Sequence, residues 1–128
     1  MATDLVAWLR QQLDEDELVI ERNSGRKGLT DDGVYPDYRT YDGEDLAAAD
    51  DYLDRFNPKR MLADLDAKRR VLDEHAPRSV TGFDVDGWEH TEDMCAACVS
   101  ADNWPCQTLR LLALPYAVRP GYREEWRP

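Results

Sequence analysis

The sequence predicts a small, mainly α-helical domain with a C-terminal zinc knuckle and a short irregular hairpin. Several stretches repeat apolar residues at the spacing of one helix face. A Cys-x2-Cys motif at Cys95 and Cys98 is followed by a third cysteine, Cys106. The length of 128 residues suits one domain over 1–128. Its expected parts are a helical body at 1–75 and, at 76–128, the knuckle segment, a short helix and a tail.

The first predicted element is a helix that begins with an N-cap at Asp4 and runs to about Val19. An aspartate side chain accepts hydrogen bonds from the free N–H groups of a first helical turn. Apolar residues then recur every three or four positions, which predicts one buried face. These residues are Leu5, Trp8, Leu9 and Leu13.

Residues 21–42 are expected to contain a loose hairpin rather than a helix. The stretch holds glycines, Pro36 and several tyrosines. Glycine and proline mark turns, and the tyrosines indicate that part of the stretch packs against the body. Twenty residues without regular structure would be unusual in a compact domain. We place the turn around Thr30–Gly33.

Two more helices are predicted next. Glu44–Phe56 has an apolar face opposite an acidic one. Asn57 and Pro58 favour the start of a third helix that ends near Glu74, because Asn is a good N-cap and Pro suits the first helical position. Its core-facing residues are Met61, Leu62, Leu65 and Leu72, and its expected ion pairs are Asp64–Lys68 and Asp66–Arg70.

The last part of the chain is predicted to be extended, then helical, then irregular. Apolar and polar residues alternate over 78–94, which indicates a short strand or an extended arm. A last helix should run from about Pro105 to Leu114, because Pro115 cannot continue it. We expect Tyr122 and Trp126 to pack the tail back onto the body.

Composition limits the classes of function. The formal net charge is −11, and both parts are acidic, with 19 acidic and 11 basic residues over 1–75 and 8 and 5 over 76–128. Nucleic-acid binding draws on Lys and Arg at phosphates, so no direct nucleic-acid binding is expected. The same charge argues against an anionic membrane surface and allows a basic protein partner. A need for solubility alone also explains the negative net charge.

Cysteine usage indicates a metal site in a reducing compartment. No run of about 18 apolar residues is present, so no membrane span is expected. Residues 1–13 carry Asp4 and Arg10 within their apolar pattern, unlike a secretory signal peptide. We therefore expect a cytoplasmic protein, in which three cysteines favour metal ligation over a disulfide framework.

The candidate metal ligands are three cysteines and one histidine. Cys95, Cys98 and Cys106 supply three of the four ligands of a tetrahedral zinc ion. The fourth is His75, at the end of the third helix, or His90, which would close a purely local loop. We favour His75, because it would tie the helical body to the knuckle. Three buried thiols without a metal are the alternative, and an iron–sulfur cluster would need four cysteines.

A second motif near the cysteines is misleading. His90 and Glu92 match the H-x-E motif of zinc deaminases, in which the glutamate transfers protons and P-C-x-x-C binds the metal. Here Glu92 and Cys95 are three positions apart, no proline precedes Cys95, and Cys106 would be left over. The pattern therefore disfavours a deaminase. No Gly-rich phosphate loop, G-x-S-x-G or H-E-x-x-H motif is present.

The C-terminal sequence resembles the end of a known group of proteins. Residues 105–117 read PCQTLRLLALPYA, and residues 120–128 read PGYREEWRP. Both are similar to the ending of a family of short uncharacterised proteins of actinobacteria and their phages, a domain of unknown function. The likeness covers most of the chain apart from 22–42 and 76–94. It includes Asp4–Arg10, Leu13–Glu17, Asn57–Leu62 and Ala67–Leu72.

The resemblance implies a ligand set but no activity. Family members commonly carry a Cys-x2-Cys and a later cysteine beside proline, matched here by Cys95, Cys98 and Cys106. A histidine after the long helix is also common, matched by His75. The chain departs from the family at Val118-Arg119, where relatives often have Asp-His, so no role of that histidine carries over. The resemblance implies an accessory protein of a host or a phage.

Together these patterns favour a small acidic zinc-binding accessory protein that is not an enzyme. The zinc ion would be structural and would add folding energy that a small core lacks. The acidic helical face would then contact a protein partner. One alternative is an inhibitor or nucleic-acid mimic in conflict between phage and host. Another is a zinc-dependent hydrolase or deaminase with an open coordination position.

Overall fold

The chain is described by a computed structural model, and two compact units make up its fold. Residues 1–12 together with 68–128 form one unit, and residues 13–67 form the other. The described part is mainly helical and includes a seven-pair antiparallel hairpin. A single domain divided near residue 75 stays a prediction. The described residues are 2–23, 29–30, 33–34, 51–52, 54–98 and 104–128.

The first helix, α1, spans Ala2–Asn23 and is longer than predicted. It continues past Val19 because good helix formers such as Glu21 and Arg22 follow, and the first glycine is Gly25. Asp4 lies inside the first turn rather than before it, where its carboxylate still complements the helix dipole. The predicted stripe is confirmed at Leu5, Leu9 and Leu13, which are buried, while Trp8 is half-buried.

A short hairpin follows α1, as predicted. Strand β1 (Leu29–Thr30) pairs antiparallel with β2 (Gly33–Val34), with Thr30 opposite Gly33. The rest of the predicted segment beyond residue 23 lies outside the described residues. The same holds for most of the predicted helix Glu44–Phe56, of which residues 51, 52, 54 and 55 are helical.

The second long helix, α2, spans Pro58–Glu74, as predicted. The Oδ1 atom of Asn57 accepts a hydrogen bond from the backbone N–H of Arg60 at 2.9 Å, which confirms the predicted N-cap. None of the described helices combines the length and apolar character that crossing a membrane requires. Of the predicted core-facing residues, Leu65 and Leu72 are buried, Leu62 is half-buried and Met61 is exposed.

One predicted ion pair on α2 does not form. The Asp64 carboxylate contacts the guanidinium of Arg60 at 3.7 Å. Lys68 instead donates a hydrogen bond from Nζ to the hydroxyl of Tyr116 at 3.1 Å, and its ammonium lies over the Tyr116 ring. A half-buried lysine gains more from this hydroxyl and ring than from an exposed carboxylate, whose attraction is screened by water.

Residues 77–95 form an antiparallel hairpin rather than the single strand or arm predicted for 78–94. Strand β3 (Pro77–Phe83) pairs with β4 (Glu89–Cys95) over their full lengths, from Pro77 opposite Cys95 to Phe83 opposite Glu89. Asp84 forms the turn, because its Oδ1 accepts the backbone N–H groups of Asp86 and Trp88 at 3.0 and 2.8 Å.

The last helix, α3, spans Gln107–Ala113 and starts later than the predicted Pro105. Cys106 precedes it in an extended conformation, with φ −68° and ψ 162°, and acts as its N-cap residue. A 3-10 turn at Leu114–Tyr116 follows, because Pro115 has no N–H to continue the α-helical ladder.

The C-terminal tail packs onto α1 through aromatic rings, as predicted. The Trp8 ring lies 5.7 Å from the ring of Tyr122 and 5.4 Å from that of Trp126, centroid to centroid. Trp126 is buried. The indole Nε1 of Trp8 also donates a hydrogen bond to the carbonyl oxygen of Pro120 at 3.1 Å. The edge-to-face and tilted ring contacts and this hydrogen bond hold the tail in place.

Replacement of Gly121 by alanine tests this tail contact. Gly121 has φ +88°, and a Cβ there would lie 2.7 Å from Nε1 of Trp8. We expect Gly121→Ala to lower the free energy of unfolding by about 2–4 kcal/mol, because left-handed strain adds to displacement of Trp8. Urea unfolding measures this change.

Gly87→Ala is the matched control. Its φ is +83°, but no atom lies within 4 Å of the added Cβ. Only the strain of about 1 kcal/mol is therefore expected. Equal losses in Gly121→Ala and Gly87→Ala would show that the contact of Gly121 with Trp8 contributes nothing to stability.

Candidate metal centre

Four side chains with metal-binding atoms meet where three secondary structure elements begin or end. His75 directly follows α2, and Cys95 is the last residue of β4. Cys98 lies in the turn after β4, and Cys106 is the N-cap residue of α3. Three of the four side chains are therefore positioned by the end of a helix or strand, and Cys98 by the turn that follows β4.

The four ligand atoms form a compact group. The Nδ1 atom of His75 lies 3.2 Å from Sγ of Cys95, 3.6 Å from Sγ of Cys98 and 3.5 Å from Sγ of Cys106. All four atoms lie within 4.8 Å of one another. No disulfide joins the three cysteines, which are free thiols. The structure therefore brings together the three cysteines and the favoured histidine of the sequence analysis as a candidate metal site.

The hairpin register places Cys95 beside His75. Pro77 pairs with Cys95 at the base of the hairpin, and the N–H of Ala96 donates to the carbonyl of Ala76 at 3.2 Å. His75 is held in the last turn of α2, since its N–H donates to the carbonyl of Val71 at 3.1 Å. Backbone hydrogen bonds thus hold both residues before any metal is considered.

The turn after β4 has the geometry of a knuckle around a sulfur. The backbone N–H of Cys98 donates to Sγ of Cys95 at 3.4 Å. This contact folds the Cys-x2-Cys segment back on itself, so that both sulfurs face the same point. Cys95 and Cys106 are buried, at 3% and 4% exposed, whereas Cys98 is exposed and His75 is half-buried. One side of the group therefore faces solvent.

Electrostatics within the group favour one thiolate over three. Burial opposes ionisation of Cys95, but hydrogen bonds from the backbone N–H groups of Cys98 and Ala97 and from the side chains of Cys98 and His75 together lower its pKa to about 7. Hydrogen bonding to Cys95 raises the pKa of Cys98 to about 11. Burial raises the pKa of Cys106. Neighbouring sulfurs resist simultaneous ionisation, and a cation between them would remove that penalty.

His90, the other histidine considered from the sequence, lies outside the group. It is exposed on β4, and its Nε2 is 3.7 Å from the carboxylate of Glu92. His90 and Cys95 are five positions apart on β4, which corresponds to about 16 Å along an extended strand. Because that number is odd, their side chains also face opposite sides of the strand. The H-x-E motif therefore does not adjoin the thiols.

The sequence analysis missed the hairpin that delivers Cys95. A signal was present, because Asp86 and Gly87 form an Asp-Gly pair between two runs with strand-like residues. Gly87 has φ +83°, the left-handed conformation that such a turn requires. Reading this pair as a turn would have predicted two strands in place of one.

Comparison with known proteins identifies a family but no function. The model of a family of unknown function, DUF6221, matches residues 2–128. No curated protein and no solved structure matches the chain. A family of unknown function was expected from the sequence and is confirmed. Its origin in actinobacteria and their phages and its tail motif stay predictions.

Cobalt binding tests which side chains act as ligands. We expect the metal-free protein to bind one Co²⁺ per chain with the absorption bands of tetrahedral thiolate coordination. His75→Ala should weaken binding by about tenfold or more, because it removes one of four ligands. His90→Ala is the matched control and should leave the spectrum unchanged. Equal effects of the two substitutions would contradict the ligand set.

Proposed function

This chain belongs to the DUF6221 family of unknown function, and we propose that it is a small acidic accessory protein built around one structural zinc ion. His75, Cys95, Cys98 and Cys106 would bind the ion. The protein would act by binding another protein rather than by catalysis.

The distances among the ligand atoms carry this proposal. Zinc binds cysteine sulfur at about 2.3 Å and histidine nitrogen at about 2.0–2.1 Å, which places the ligands of a tetrahedron about 3.8 Å apart for two sulfurs and about 3.6 Å apart for sulfur and nitrogen. The three sulfur–nitrogen distances here are 3.2, 3.6 and 3.5 Å. A zinc ion would need shifts of a few tenths of an ångström in these contacts.

The ligand types support zinc over other metals. Three thiolates and an imidazole are soft or borderline ligands, unlike the oxygen ligands that Mg²⁺ and Ca²⁺ require. Cys3His is one of the common sets of structural zinc sites. An iron–sulfur cluster of the usual kind uses four cysteines, and the whole chain has three.

A structural role follows from the number of protein ligands. Catalytic zinc keeps one position open for water or substrate, whereas structural zinc is closed by four protein ligands. The described group offers four such atoms. His90 and Glu92 form a separate pair on β4, so this glutamate is not placed to act as a base. These observations favour a non-enzymatic protein.

The hairpin β3–β4 and the helix α3 would both be stabilised by a zinc ion that links them to α2. An isolated two-stranded hairpin is marginally stable in water, and a helix shorter than about 12 residues is marginal by itself. The hairpin β3–β4 ends at Cys95, and α3 has seven residues and begins after Cys106. Zinc would hold both to the end of α2.

Charge supports a protein partner over nucleic acid or lipid. The net charge of −11 repels phosphate and anionic lipid headgroups and attracts basic protein surfaces. The predicted acidic helical face is described at Asp51 and Asp54, which are exposed. Both features are compatible with a basic partner.

The metal content of the purified protein tests the zinc site. We expect about one zinc per chain, lost in Cys95→Ser, Cys106→Ser and His75→Ala and retained in His90→Ala. When free zinc exceeds its dissociation constant a thousandfold, binding stabilises the folded state by about 4 kcal/mol. Elemental analysis and thermal unfolding measure the two quantities.

Two outcomes would contradict this proposal in different ways. No metal in the wild-type protein would leave three free thiols and refute the structural site. Zinc retained in both histidine variants would indicate an open coordination position, which favours the zinc hydrolase alternative.

Hydrogen exchange after removal of the metal tests the structural role. We expect chelation to raise the exchange rates of the β3–β4 amides before those of buried positions in α1, such as Leu9 and Leu13. The hairpin is stabilised by the hydrogen bonds between its strands and by the metal at its base, so removing the metal weakens it. Helix α1 also buries an apolar face, which stabilises it without the metal. Unchanged exchange in the hairpin would show that the metal does not stabilise it.

A further inference from the structure

We infer that the tip of the β3–β4 hairpin is the surface through which the protein binds its partner. The tip is defined here as Phe83, Val85 and Trp88. The partner is a protein with an apolar pocket bordered by Lys and Arg side chains. This inference rests on the proposed function, since it places the protein contact on one surface.

The tip exposes more apolar surface than folding explains. Phe83, Val85 and Trp88 are 73%, 102% and 74% exposed, and they lie within six consecutive residues. Single exposed apolar residues are common on soluble proteins, but a cluster that includes two aromatic rings is typical of an interaction site. Phenylalanine and tryptophan also supply large contact areas with few rotatable bonds.

The backbone of the tip is ordered although its side chains are exposed. Asp84 accepts N–H groups of Asp86 and Trp88 through its carboxylate, and its own N–H donates to the carbonyl of Trp88 at 3.0 Å. The N–H of Gly87 donates to the Asp84 carbonyl at 3.0 Å. These hydrogen bonds fix the backbone from which the exposed apolar side chains project, which lowers the backbone entropy lost on binding.

Charge around the tip selects the class of partner. Residues 77–95 contain five acidic residues and one arginine, a net charge of −4. Asp86 and Glu89 lie beside the apolar side chains, and Glu89 is paired with Phe83. Acidic residues around an apolar centre complement an apolar pocket with a basic border. The same sign repels a second copy of this chain, nucleic acid and an anionic membrane.

The tip is remote from the candidate metal site on the same hairpin. The metal site closes the base, where Pro77 pairs with Cys95, and the last pair of the ladder is Phe83 with Glu89. Six residues of strand separate base and tip by about 20 Å. Substitutions at the tip should therefore leave metal binding intact, so that partner binding and zinc binding can be tested separately.

Site-directed photocrosslinking tests the inference. The full-length zinc-loaded protein carries a photoreactive phenylalanine analogue at position 85 and is crosslinked inside cells of its source organism. The matched control carries the analogue at position 118, because Val118 is also apolar and 94% exposed. The protein crosslinked at position 85 is identified by mass spectrometry, purified, and titrated with the unmodified chain.

We expect the crosslinked protein to have a basic, partly apolar surface and to be captured from position 85 but not from position 118. Trp88→Ser and Phe83→Ser should weaken its binding by about tenfold or more, as for central aromatic residues of interfaces. Asp86→Asn with Glu89→Gln should weaken binding less and reduce its dependence on salt. Val118→Ser should bind like the wild type, and all variants should retain zinc.

Other outcomes would overturn the inference. These are no crosslink at position 85, equal capture from both positions, a crosslink to a second copy, to nucleic acid or to lipid, and unchanged binding in Trp88→Ser. In each case an unchanged zinc content would leave the structural metal site standing. Absence of zinc from the wild type would instead refute the proposed function, whatever position 85 captures.

Discussion

The convergence of one histidine and three cysteines is the constraint on which the C-terminal half of the structure depends. His75 directly follows a long helix, Cys95 ends a strand, and Cys106 is the N-cap of a short helix, yet their ligand atoms lie within 4.8 Å of that of Cys98 and of one another. Three mutually close sulfurs are electrostatically unfavourable as thiolates without a cation. Without a cation the pKa values of Cys98 and Cys106 are raised, so both remain neutral thiols, and a metal ion would allow all three sulfurs to ionise.

A second anchor acts independently of the sulfur cluster. The tail returns to α1 because Trp8 contacts two aromatic rings and donates its indole N–H to the carbonyl of Pro120. Gly121 allows this approach, since its positive φ and missing side chain leave room for the indole. The ligand group brings together the ends of α2 and β4 and the start of α3, and the aromatic contacts of Trp8 hold the chain end.

The hairpin between these ligands carries the binding surface that we propose. Its base is fixed by the Pro77–Cys95 pair, while its tip holds Phe83, Val85 and Trp88 in solvent. The strand pairing at the base and the hydrogen-bonded turn place these apolar side chains at the far end of the hairpin. We propose that this surface binds another protein, and the acidic residues around it would favour a basic one.

Local sequence determined most helices and the composition of the candidate site. The start of α2 follows from Asn57 and Pro58, whose effects act on residues within a few positions. Only the tertiary structure decided between His75 and His90 as the histidine beside the cysteines. The pairing of Pro77 with Cys95 spans 18 positions and depends on how the turn around Asp86 and Gly87 aligns the two strands, which the apolar pattern alone does not specify. Strand register sets which distant side chains meet, and register depends on pairing partners that composition and periodicity do not reveal.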